Sequence, residues 1–191
     1  TVSDVTADQV YPGALLNILS DNGEVLTLQD GSGNFIDTAN SENGGTWPKG
    51  GLAPNYGTME RKGTAVERDA SWATNIGKQK NGRDANNGLI YGTPRKVNST
   101  GIAPTSTPAI KTPTVPPPVG RPVINEFLAR PGFDWNQDGN VDVFDEFIEV
   151  KNLGPVNISL NGWKLDDEAN LGSSPYTLTD ITLKPGERLV F

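Results

Sequence analysis

The sequence contains no histidine and no cysteine. Those two absences remove Ser-His and Cys-His nucleophilic catalysis, zinc held by imidazole or thiolate, haem ligated by His or Cys, iron–sulfur clusters and disulfides. Carboxylates, lysine, arginine and hydroxyls are left to carry any chemistry. Positive charge is also short, with 16 Lys and Arg against 23 Asp and Glu and a net charge of -7. A surface of that sign repels a phosphate backbone, so nucleic acid is not an expected partner. Long apolar runs are missing too. The longest apolar-rich stretch, Ala14 to Leu19, is interrupted by Asn17, and a membrane span needs about 18 or more apolar residues. We therefore expect a soluble chain with no membrane insertion. It starts at Thr1 with no basic and apolar leader, which reads as a processed mature chain or a piece of a longer one.

What the sequence has in quantity is turn chemistry. Among 191 residues there are 22 Gly and 15 Pro, with 35% apolar residues and a mean hydropathy of -0.44. Long helices are not expected from that composition. Leu15 to Asp37 holds apolar runs broken by Asp21-Asn22-Gly23 and Gly31-Ser32-Gly33-Asn34, the signature of β-hairpins. Asn40 to Asn98 is rich in Gly and Asn and punctuated by Trp47, Met59, Trp72, Ile76, Leu89, Ile90 and Tyr91. It has too few periodic apolar positions for regular elements and too many large anchors for disorder, so we expect an ordered, irregular excursion pinned by aromatics.

Composition changes sharply from residue 101. Pro104, Pro108, Pro113, Pro116, Pro117, Pro118 and Pro122 alternate with Thr, Ser and Val, which makes residues 101–122 an extended linker. The chain divides accordingly into residues 1–100, the 101–122 linker and residues 123–191. After the linker, strands are expected at 123–128, 146–151, 158–165, 176–178 and 181–191, with turns at Asn161-Gly162 and Pro185-Gly186. Short strands with turns every eight to twelve residues indicate an all-β sandwich.

Residues 123–191, reading VINEFLARPG, DEFIEVKNLGP, ISLNGWKLDD and LKPGERLVF, resemble the first half of a lamin-tail domain. Residues 13–98, with LSDNGEVLTLQDGSGNFID, GGTWPKG, YGTMER, SWATNIG and GLIYGTPRKVNS, resemble the second half of its bacterial version. The resemblance implies an immunoglobulin-like β-sandwich built from two half-domains in reversed order. Each half alone would leave sheet edges open and a core half exposed. Three arrangements would cure this: a circular permutant closed within one chain, a window cut from a tandem array, or halves completed by a neighbouring subunit. The Pro-rich spacer, typical between beads of surface proteins, favours the two array-like arrangements. Self-association with identical subunits or adjacent repeats is therefore expected.

The strongest chemical motif is DWNQDGNVDVFD at residues 134–145. Asp134, Asn136 and Asp138 stand at alternate positions, Gly139 follows where a calcium loop turns sharply, Asn140 offers a backbone carbonyl, and Asp142 and Asp145 occupy the ninth and twelfth places. Alternate residues on a tight loop aim hard oxygens at one ion, which points to Ca2+. The motif departs from an EF-hand in closing on Asp145, or on the adjacent Glu146, and in lacking flanking helices. Asp166, Asp167 and Glu168 form a second acidic group that matches a glycosidase acid and base less well than a capped strand end. Trp47, Trp72, Trp135 and Trp163 are too scattered for a sugar-stacking platform, and Arg61, Lys62 and Arg68 read as ion-pair partners or surface charge. The sequons at Asn98 and Asn157 bear on function only in a eukaryotic source. The expectation is a non-enzymatic, calcium-stabilised, extracellular structural or assembly protein. An adhesion or glycan-binding module, or an accessory domain of a secreted hydrolase, is the alternative.

Overall fold

The computed structural model describes residues 5–9, 19–42, 45–52, 55–64, 66–83, 86–100, 119–134, 137–167 and 174–191. Its strands are β1 (Leu26–Gln29), β2 (Phe35–Ala39), β3 (Met59–Arg61), β4 (Trp72–Thr74), β5 (Pro122–Leu128) and β6 (Phe147–Asn152), followed by β7 (Ile158–Ser159), β8 (Lys164–Asp166), β9 (Tyr176–Thr177), β10 (Thr182–Leu183) and β11 (Arg188–Val190). Among the described residues the helical elements are two 3-10 turns, Asp69–Ser71 and Val143–Asp145. The chain is nearly all β, as the turn-rich composition implies.

The β1–β2 hairpin is closed by Asp30, whose carboxylate accepts from the Ser32 and Asn34 amides at 2.8 and 2.9 Å, while Gly33 takes the positive φ of 84° the reversal needs. The first part of the expected preceding hairpin, residues 15–18, lies outside the described residues. Strand β5 begins one residue earlier than the linker reading allows, with Pro122 opposite Asn152. Proline is tolerated at the first position of a strand. Residues 101–118 of the expected linker lie outside the described residues.

Among the described residues three antiparallel sheets form, ordered β2-β1-β8-β9, β10-β7 and β11-β6-β5-β3-β4. The turns at Asn161-Gly162 and Pro185-Gly186 do not make hairpins. They carry the chain from β7 to β8 and from β10 to β11, each time between different sheets. One core lies between the sheets: Leu26, Leu28 and Leu165 from one side and Met59, Trp72, Ile124, Phe127, Ile148 and Val150 from the other. Trp47 and Trp72 both pack on the Phe127 ring, at centroid distances of 4.9 and 5.5 Å. The arrangement is sandwich-like, with these side chains turned inward, whereas Phe35 and Ile36 of β2 are exposed.

The two halves complete one another within this one chain. β1 lies between β2 and β8, and β3 lies between β4 and β5, so each main sheet contains strands from both sides of the 101–122 segment. Asp37 and Arg61 reinforce the junction from within. Arg61 Nη2 and Asp37 Oδ2 are 2.5 Å apart, Arg61 Nε donates to the Ile124 carbonyl at 2.8 Å, and the Ile124 amide donates to Asp37 Oδ2 at 2.8 Å.

The excursion over residues 40–98 is more regular than expected, because β3 and β4 lie inside it. In its last part Thr93, Arg95 and Asn98 lie over the outer face of the five-stranded sheet, and all seven residues of β5 are buried. A register shift between Ile124 and Glu126 puts Asn125 and Glu126 on that outer face together, as a bulge does. Asn98 fills the gap, its Nδ2 donating to the carbonyls of Arg61 and Asn125 at 2.9 and 3.1 Å. The Asn98 sequon is therefore inside the fold, whereas Asn157 is exposed.

Candidate functional site

The 134–145 motif occupies the connection between the adjacent strands β5 and β6, its C-terminal end leading into β6 and its N-terminal end following β5 after residues 129–133. The Gly139 amide donates to Asp134 Oδ2 at 3.0 Å, and Gly139 has a φ of 94°. The Asn140 amide donates to Asp138 Oδ1 at 2.8 Å. These two bonds wind the loop around its own carboxylates. The second half closes differently. Asp142 Oδ1 accepts from the Phe144 amide at 2.9 Å and Asp145 Oδ2 accepts from the Asp142 amide at 2.9 Å, a reciprocal cap on the 3-10 turn Val143–Asp145. Asp145 is buried at the base of the loop, while Asp138 and Asn140 are exposed. Asn136 and Trp135 lie outside the described residues.

One oxygen in this loop stands apart from the rest. Asp134 Oδ1 is buried and has no hydrogen-bond partner among the described residues. A buried carboxylate oxygen without a donor costs free energy unless something positive meets it. Among the described residues, however, no three acidic groups converge closely enough to enclose an ion. The structure thus gathers Asp134, Asp138, Asn140, Asp142 and Asp145 into one wound loop without closing them on one point. Glu146 is turned away from it, accepting from the Leu19 amide at 3.0 Å, and burial pushes its carboxyl up to about 9.

Asp166 and Asp167 are both buried at the end of β8, and Glu168 lies outside the described residues. Burial, then the neighbouring Asp167, pushes the Asp166 carboxyl up to about 6. Arg61 is not surface charge: it is fully buried, with Trp72 4.9 Å from its guanidinium. The three described tryptophans, Trp47, Trp72 and Trp163, pack on the core.

A second polar centre was not anticipated from the sequence. Glu60, Glu126 and Glu149 stand side by side on β3, β5 and β6, paired in register across the strands and all fully buried. Part of its signal was available: Glu126 and Glu149 each interrupt an apolar strand, in VINEFL and FIEVK. A charge at that place reads as the solvent phase of an amphipathic strand, and only the covering loop makes it an interior group.

Compared with protein-family models, curated proteins and solved structures, the chain matches none.

Proposed function

We propose that this chain is a non-enzymatic structural module of the extracellular space, an immunoglobulin-like sandwich of lamin-tail type stabilised by calcium in the 134–145 loop. The observation that carries the reading is Asp134: one of its oxygens winds the loop through the Gly139 amide, and the other is buried without a partner among the described residues. Asp134, Asn136, Asp138, the Asn140 carbonyl, Asp142 and Asp145 would hold the ion. All are hard oxygen donors, the set calcium takes. Bound calcium supplies neutralisation of the crowded carboxylates. The protein supplies the winding and an anchor in two paired strands. An extracellular setting fits the weak affinity expected of such modules, because calcium is abundant there.

The non-enzymatic part rests on the lack of His and Cys and on the engagement of the buried glutamates with amides of their own fold. With its core closed inside one chain, the module needs no neighbour to bury its strands, so an array of such modules would be a series of beads.

Thermal unfolding with calcium and with chelator tests the reading. A Kd of about 10⁻⁴ to 10⁻³ M gives about 1.4 to 2.7 kcal/mol at 10 mM calcium, or a rise in Tm of roughly 3 to 10 °C for a chain of this size. Asp134→Asn and Asp138→Ala should abolish most of the rise. An unchanged Tm on chelating a calcium-loaded sample would sink the calcium part of the proposal.

A further inference from the structure

The buried glutamate row needs a proton, and its hydrogen bonds show where that proton sits. Thr93 Oγ1 lies 2.7 Å from Glu60 Oε1 and 3.0 Å from Glu126 Oε2. A hydroxyl has one proton to give. It can donate to one carboxylate only, and it must accept from the other. Glu60 Oε1 already accepts from Asn75 Nδ2 at 2.9 Å, and Glu60 Oε2 accepts from the amide and hydroxyl of Ser99 at 2.9 and 2.6 Å. Glu126 Oε1 accepts from the Thr93 amide at 2.7 Å. The position left for a proton is Glu126 Oε2, donating to Thr93 Oγ1, which in turn donates to Glu60.

The same bonds fasten the covering loop. Each glutamate takes one amide from it: Glu126 from Thr93, Glu149 from Arg95 at 2.5 Å and Glu60 from Ser99. We propose that the segment 91–99 is a proton-dependent latch, docked on the sheet while Glu126 keeps its proton and lifted off, with the sandwich still folded, when that proton is lost.

The charges around the row leave the loss uncompensated where it occurs. β4 places Ala73 opposite Glu60. The cations stand at the far end. Arg188 of β11 lies 3.3 Å from Glu149 Oε1, and Lys151 of β6 acts on the same carboxylate. The Arg95 guanidinium is taken by Asp8 of the N-terminal segment at 2.7 Å. The other hydrogen-bond partners of the row are neutral. Burial and the charges of Glu60 and Glu149 push Glu126 up to about 8, and burial pushes Glu149 up to about 7. Both values lie above the unfolded carboxyl range near 4.5. Docking is therefore fully supported below about pH 4.5 and weakens as pH rises through 7 and 8.

Trypsin reads the latch directly, because Arg95 and Lys96 lie in it with exposed side chains and cleavage of a docked segment follows its opening equilibrium. Rates are taken relative to a free peptide of residues 91–99 at each pH, which removes the enzyme's own pH profile. One proton changes the opening equilibrium up to about tenfold per pH unit, so the relative rate should rise roughly 10- to 100-fold between pH 6 and 8.5. Glu126→Gln supplies a permanent N–H where the acid proton was and should flatten that rise. A flat wild-type profile, or an equally steep one in E126Q, would overturn the latch. Should E126Q fail to fold, amide exchange of the wild type decides. The Thr93, Arg95 and Ser99 amides should lose protection with rising pH while Ile148 and Val150 keep theirs, and a parallel loss at all five would mean global unfolding and refute the proposal.

Discussion

At the scale of the residue, the fold depends on polar groups placed where apolar ones would be expected. Arg61 sits in the core phase of β3 with the buried Met59, its guanidinium over the Trp72 ring and bonded to the β5 backbone. Its charge is tolerable because Asp37 meets it and carbonyls of both halves accept from it. Burial nonetheless pushes Asp37 up, to about 6, against the pull of Arg61. Removing one partner leaves the other buried and unpaired, which costs about 3–5 kcal/mol. Asp37→Ala should therefore lower the urea midpoint by that equivalent at neutral pH, far more than Glu42→Ala on the exposed surface. The sequence could not reveal this pair. Twenty-four positions separate the two residues, and nothing local distinguishes Asp37 from a hairpin surface residue. The 134–145 loop could be read for the opposite reason: its carboxylate spacing, its glycine and its turn are all contained in twelve consecutive residues, whereas convergence of oxygens is a tertiary property, and among the described residues they do not close on one point.

Among the elements, strands with alternating residues and clear turns could be read directly, and short ones could not. VINEFL, EFIEVK and the hairpin around Gly31 to Asn34 fall in β5, β6 and the β1–β2 turn. β3 and β4 are only three residues each, MER and WAT, too short for a period to show. They are strands because β5 offers Phe127 and Glu126 as partners for Met59 and Glu60. The turns between β7 and β8 and between β10 and β11 were legible as turns, but nothing in them says that the next strand joins a different sheet. The connection from β6 to β7 is tightly built. In the turn after β6, Asn152 is fully buried, accepting from the Arg121 and Gly154 amides and donating to two carbonyls. A Cβ on Gly154 would stand 2.4 Å from the Val119 carbonyl oxygen and 2.5 Å from the Arg121 nitrogen. Both obstacles are backbone, so Gly154→Ala should cost about 1–3 kcal/mol as an overpacked site. Gly33→Ala, with open space around it, should cost only the strain of its positive φ, about 1 kcal/mol. Equal losses for the two variants in urea titrations would contradict this packing.

At the scale of the whole molecule, the question is which chain supplies the missing half. The Pro-rich spacer by itself favours an array or exchange between chains, but the β1–β8 and β3–β5 pairing has the same local form whether one chain or two supply it. What separates the two is concentration. A tether of about 20 residues holds its two ends at an effective concentration on the order of millimolar, so at micromolar protein the intramolecular partner wins by a wide margin. The chain should therefore run as a 20.4 kDa particle at micromolar concentration. A protease site engineered between Gly101 and Pro122 gives the sharper measurement. After cutting, the halves should remain together at the same mass, since the hydrogen bonds joining them include two strand pairings and the Arg61 and Asp37 contacts to Ile124. Because the tether is then gone, dilution should separate them with a measurable Kd that the uncut chain never shows. Uncut material found at multiples of 20.4 kDa, converting to the single mass only after unfolding and dilute refolding, would establish exchanged halves instead.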